Sequence, residues 1–284
     1  MSRTSPLERL LRQERIIVAA GLATLAGLAW IYLLGGAGMD AGAWEMTRLT
    51  LFPHRLSAAP AMSMDGMGMA AAGAGRAWDL RVWLLVVAMW WTMMVAMMAP
   101  SAAPMILLYA KVRGHAEGQD PRGGGLAPTA VFAAGYLAVW LLFSLAAAGL
   151  QAGLEASALV SAALMGSTSR WLSAGVLVAA GLYQLTPLKN LCLAQCRSPA
   201  AFLSRHWRPG AAGALRLGLL HGGYCVGCCW ALMALLFVGG VMNLAWIAAL
   251  ALLVMAEKLL PAGPWTARAA GALLLAWGLA TTIA

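Results

Sequence analysis

The sequence predicts an all-α, polytopic membrane helical bundle. Three observations carry that prediction. The 284 residues are 62% hydrophobic and only 10% charged, whereas roughly a quarter of a soluble domain is charged. The apolar residues fall into stretches close to the ~20 residues that a helix needs to cross a bilayer. They also lack the period-two alternation of a closed barrel, the other architecture that satisfies its backbone in lipid. One integral membrane domain, 1–284, accounts for the chain, without a soluble domain, an internal repeat or a long linker.

Seven spans are expected. Arg3, Arg9, Arg12 and Arg15 precede the first, Ile16–Leu34. No small-residue cleavage site follows closely, so this span reads as a retained helix rather than a signal peptide. A loop of roughly residues 35–79 leads to the second span, Leu80–Tyr109. Pro100 and Pro104 each remove a backbone donor and crowd the preceding turn, so a kink or break is expected there. The Gly-rich turn "GQDPRGGG" separates it from the third span, Pro128–Leu150. The fourth and fifth are Trp171–Leu191 and Ala214–Gly239. The sixth, Met242–Met255, is short, and the seventh is Trp265–Ile283.

Charge sets the expected orientation. Lys111, Arg113, Arg122, Lys189, Arg197, Arg205, Arg208, Arg216, Lys258 and Arg268 flank loops on the same side as the basic N-terminus. The opposite loops hold Arg48, Arg55, Arg76 and Arg170 with acids among them. The positive-inside bias then puts the N-terminus in the cytoplasm and the C-terminus outside, in a bacterial-type inner (plasma) membrane. The net charge of +9 follows from that bias, so the expected partner is the lipid bilayer and not nucleic acid.

Within this frame, 17 methionines cluster. The outside loop carries "MSMDGMGM", with Met62, Met64, Met67 and Met69 and with His54 nearby. It is too polar and Gly-rich to pack a core, and thioethers are soft, neutral ligands suited to Cu(I). The second span places Met89, Met93 and Met97 in one i, i+4 row and Met94, Met98 and Met105 in another. A helix can stack such thioethers along its length. Methionine is also a good helix former and gap filler, so taken alone this stripe reads as core.

All five cysteines fall around the fourth and fifth spans: Cys192, Cys196, Cys225, Cys228 and Cys229. The cytoplasmic side is reducing, which argues against structural disulfides. Cys192 and Cys196 are four apart and share a helix face. His221, Cys225 and Cys228 are spaced by four and three and share another, with Cys229 at its edge. Thiolates and imidazole select Cu(I), Zn or iron. Scattered cysteines would read as small buried apolar residues, but two tight groups point to a thiol site. An ionisable residue such as His221 inside a span is a functional candidate by default.

Other polar residues have simpler readings. Lys189 is expected to snorkel, Glu257–Lys258 to form a surface ion pair, and Asn243 to cap a helix. Trp90, Trp91, Trp140, Trp230 and Trp246 read as packing or interface aromatics. No GxSxG, P-loop, dinucleotide fingerprint or HExxH occurs, which argues against hydrolases and nucleotide enzymes.

"MVAMMAPSAAPM", "GLYQLTPLKNLCLAQCRSP", "HGGYCVGCCWALM", "GVMNLAW" and "EKLLP" together resemble a family of predicted metal-binding integral membrane proteins, domain of unknown function 2182. The resemblance covers roughly residues 78–261. The matching positions are Met93, Met94, Met97, Met98, Cys192, Cys196, His221, Cys225, Cys228 and Cys229. It implies metal binding with copper first, and it leaves out the Met-rich loop. The leading expectation is a Cu(I)-handling protein, either a transporter or a chaperone. It would exchange the ion with a periplasmic metal-binding protein or a copper enzyme, as a monomer or an oligomer. Zinc and iron stay open, and so does turnover of a substrate. The alternatives are a copper- or iron-dependent membrane oxidoreductase and, behind it, thiol–disulfide exchange through Cys225 and Cys228.

Overall fold

The computed structural model describes residues 6–38, 44, 47–48, 78–117 and 127–283. Among them the chain is helical, with a single isolated β-bridge between Val160 and Ser167. The helices are α1 (Pro6–Leu34), α2 (Leu80–Glu117), α3 (Ala127–Ala156), α4 (Arg170–Leu185), α5 (Pro187–Arg197), α6 (Pro199–His206), α7 (Gly210–Ala234), α8 (Leu236–Gly239), α9 (Leu244–Leu259) and α10 (Gly263–Ile283).

Five of the seven expected spans are helices long and apolar enough to cross a membrane: Ile16–Leu34, Leu80–Arg113, Ala127–Ala156, Gly210–Gly239 and Gly263–Ile283. The other two differ from expectation. The fourth is a pair, α4 and α5, bent by 64° between Leu185 and Pro187, and it meets the same criterion only as one broken span. Thr186 makes the break. Its extended backbone ends α4, its side chain caps Lys189 N, and Pro187 opens α5 at a position where a missing N–H costs nothing. The sixth, α9, has 16 residues, about 24 Å at helical rise, short of a ~30 Å hydrocarbon layer.

Of the kink or break expected in the second span, a break does not occur. Pro100 and Pro104 lie inside one continuous helix. The turn is held from its flanks: Ser101 Oγ donates to the Met98 carbonyl at 2.9 Å, and Tyr136 Oη of α3 donates to the same carbonyl at 3.3 Å. Both hydroxyls bond the Met98 carbonyl, which lies between the carbonyls of Ala96 and Pro100 that the two prolines leave without a helical donor.

Packing follows side-chain size. The α3–α7 pair is the most extensive in the molecule. It closes through glycines: a Cβ on Gly135 would lie 2.7 Å from the Leu215 carbonyl, and one on Gly218 would overlap the Phe132 carbonyl. Small residues of this kind let apolar helices approach closely where lipid removes any hydrophobic drive between them. Gly181 and Gly271 do the same between α4 and α10. Helix α1 leans on α2.

Buried polar groups are tied into two hydrogen-bonded networks. Towards the start of α2, Trp90 Nε1 donates to Gln151 Oε1 (2.8 Å), Gln151 Nε2 to Glu155 Oε1 (2.8 Å) and Trp78 Nε1 to Glu155 Oε2 (3.1 Å). At the far end of α9, Lys189 Nζ meets Glu257 Oε2 at 2.7 Å. This corrects two expectations. Lys189 does not snorkel and Glu257 is not at the surface: the two side chains are 0% and 1% exposed. Gln184 explains why. It donates to Glu257 Oε1 at 2.8 Å and accepts from Lys189, so each buried charge has a second hydrogen-bond partner.

Candidate metal centre

Three helices bring the thiols together. α7 carries His221, Cys225, Cys228 and Cys229, all buried on one face. α5 carries Cys192 and Cys196, and the bend at Thr186 lays it against α7. The thiol of Cys196 interacts with those of Cys225 and Cys228, and Cys229 with Cys225 and Cys228. All five cysteines are free thiols. Cys192 is half-buried at the edge, its Sγ resting on Gly227, where a Cβ would stand 2.9 Å away. Tyr183 donates to the Gly227 carbonyl and fixes α4 at the same turn.

The third helix is α2. Met89, Met93, Met94, Met97, Met98 and Met105 are all buried. Met98 Sδ lies 3.9 Å from Cys229 Sγ, the point where the thioether row meets the thiols. Eight residues beyond Cys229, Phe237 packs its ring at a tilt against Trp90 (5.3 Å), which is eight residues before Met98. The two segments therefore run antiparallel, and Met233, one turn beyond Cys229 on α7, is buried. Met62, Met64, Met67 and Met69 lie outside the described residues.

The heart of the cluster is Cys225. Its Sγ is 2.9 Å from Lys258 Nζ and 3.1 Å from Tyr136 Oη. Lys258 also donates to Ser101 Oγ at 3.1 Å. The thiols of Cys228 and Cys229 both donate to the Cys225 carbonyl, at 3.1 and 2.9 Å. So Lys258 is no surface ion-pair partner of Glu257 as expected; it points the other way, into the thiols. Among the described residues no three or more His, Cys, Asp and Glu are arranged to hold a metal ion. Two sulfurs, of Cys228 and Cys229, are turned onto their own backbone, and that of Cys225 is engaged by an ammonium and a phenol.

His221 stands one turn before Cys225 in an aromatic box. Phe202, Tyr136 and Phe132 surround it with ring centroids at 5.5, 5.7 and 6.2 Å. Its Nδ1 is buried without a hydrogen-bond partner. An orphaned imidazole nitrogen in such a setting is rare in a settled structure. It is the kind of donor atom that a soft metal ion would take up.

Sequence reasoning missed four residues here. Tyr136 gave no signal beyond being aromatic in a span. Ser101 and Met233 sat in apolar surroundings without spacing to mark them. Lys258 did carry a signal, since a charge at a span end can turn inward, but only tertiary packing decides which way it faces.

The fold and site define a class: a helical protein with several membrane-length apolar helices and a buried cluster of thiols and thioethers. Residues 87–281 match the model of the PpoB2 family, described as a copper chaperone, and the chain belongs to that family. The match takes in the thioether row from Met89 onward and every cysteine, and begins after the Met-rich loop. No curated protein and no solved structure matches the chain.

Proposed function

We propose that this protein is a multi-pass inner-membrane carrier that binds Cu(I) and delivers it to a copper enzyme, with copper as cargo. The loop of residues 35–79 collects the ion through Met62, Met64, Met67 and Met69. The thioethers of α2, Met93, Met94, Met97, Met98 and Met105, carry it along the helix together with Met233. His221, Cys225, Cys228 and Cys229, with Cys196 and Cys192 beside them, hold it before release. The family's description supports copper, and soft ligands throughout suit the monovalent ion.

The observation that carries this reading is the 3.9 Å contact between Met98 Sδ and Cys229 Sγ. It joins the thioether row to the thiols in one buried seam, so an ion held by one sulfur has the next within reach. Loading would turn the Cys228 and Cys229 sulfurs off the Cys225 carbonyl and onto the metal, with loss of their protons. The unpartnered nitrogen of His221 supports its place as a further ligand.

The test is Cu(I) titration of the purified full-length protein against a chromophoric chelator. Cys225→Ser combined with Cys228→Ser is expected to weaken Cu(I) binding at least a hundredfold, about 2.7 kcal/mol. Equal affinity of the double variant and the wild type would sink the proposal.

A further inference from the structure

Soft donors alone cannot explain a preference for one thiophilic metal. Thiolates also bind Zn(II) and Cd(II), so ligand type alone leaves valence open. The thiol cluster holds one more group that does respond to valence. Lys258 places its ammonium 2.9 Å from Cys225 Sγ, and the side chain is buried.

Three features keep that charge in place. Ser101 Oγ holds it from α2 at 3.1 Å. The Ser101 hydroxyl is itself oriented, because it donates to the Met98 carbonyl at 2.9 Å. The acid next along the chain cannot neutralise it either. Both oxygens of Glu257 are engaged on the other side of α9, Oε1 by Gln184 at 2.8 Å and Oε2 by Lys189 at 2.7 Å.

We infer that Lys258 is a specificity-determining residue which makes the thiol cluster select a monovalent over a divalent soft ion. The inference rests on the proposed copper site. An ion bound at Cys225 sits within a few ångströms of the ammonium. Their repulsion scales with the charge of the ion, so a divalent metal meets twice the opposition of a monovalent one. In a buried, weakly screened site this difference is large. Lys258 touches the sulfur and not the metal, so it acts on selectivity through the field it sets at Cys225.

The experiment compares Cu(I) and Cd(II) binding to the full-length protein in detergent. Cu(I) is read by chelator competition and Cd(II) by its sulfur charge-transfer absorption. Lys258→Met removes the charge while keeping an unbranched chain. Lys258→Gln repeats the neutralisation with a hydrogen-bonding head, so a folding failure of one variant leaves the other to decide. Lys258→Arg keeps the charge. The expected result is a fall of at least tenfold in the Cu(I)-over-Cd(II) preference for the two neutral variants, with appearance of the Cd(II) band. Lys258→Arg should recover most of the preference. The same preference in wild type and the folded neutral variants overturns the inference, as does parallel loss of both metals, which would make Lys258 a structural pin. Wild type that binds Cd(II) but no Cu(I) overturns the inference and the copper proposal together. An unchanged preference with intact Cu(I) binding overturns the inference alone.

Discussion

At Gly227 a hydrogen atom is all the side chain that Cys192 allows. A Cβ there would lie 2.9 Å from its Sγ, and the same residue's carbonyl takes the Tyr183 hydroxyl. Gly227→Ala is therefore expected to push Cys192 outward from its half-buried seat. Alkylation of Cys192 should speed up several-fold, while Cys225, Cys228 and Cys229 stay protected. Mass spectrometry after a timed thiol-labelling pulse reads this directly, and unchanged Cys192 labelling would refute it. At this scale the shared face was legible in the sequence, because helical spacing alone puts His221, Cys225 and Cys228 together, and all three are buried. What surrounds Cys225 was not legible. Tyr136 and Lys258 reach it from α3 and α9, 89 and 33 residues away along the chain. No periodicity within one element encodes such a meeting.

Among the elements, α3 and α7 show how residue size decides helix spacing. Glycines bring these two close, whereas α2 and α7 are held apart by a layer of thioethers and thiols. Gly218→Ala would force a methyl into the Phe132 carbonyl and is expected to destabilise the protein by about 1–3 kcal/mol, the usual range for overpacking. Gly223→Ala, five residues on, meets nothing within 4 Å and should be neutral or slightly stabilising, since Ala is the better helix former. Thermal unfolding in one detergent compares the two, and equal midpoints would refute the packing argument. The long apolar helices were legible because burial in lipid demands a long run of apolar residues. The α4–α5 bend was harder to see. "LTPLKN" reads equally well as the end of a span, and only the landing of α5 on α7 shows that it is a turn within the site. The prolines of α2 are the opposite case, because the helix runs on through both of them.

Across the whole molecule, the last turn of α9 works as a junction. Glu257 faces α4 and α5 through Gln184 and Lys189, Lys258 faces α2 and α7 through Ser101 and Cys225, and Arg197 of α5 caps the helix end at the carbonyls of Glu257 and Leu260 (2.5 and 2.7 Å). Two adjacent charged residues thus tie both thiol-bearing helices and the thioether helix to one point. Breaking one side of a buried pair leaves the other charge uncompensated, which costs about 3–5 kcal/mol, while replacing both partners by apolar groups is often neutral. Glu257→Gln should therefore lower the unfolding midpoint sharply and expose Cys196, which rides on the same helix as Lys189, to alkylation. Glu257→Leu with Lys189→Leu should be more stable than Glu257→Gln alone, because the Lys189 ammonium is not left buried without its carboxylate. The two readouts separate the roles of the pair: stability reports the buried charge, and Cys196 labelling reports whether α5 stays seated on α7. If Glu257→Gln is as stable as wild type, or the double variant is the less stable of the two, then the junction is held by apolar packing of α9 and not by its charges.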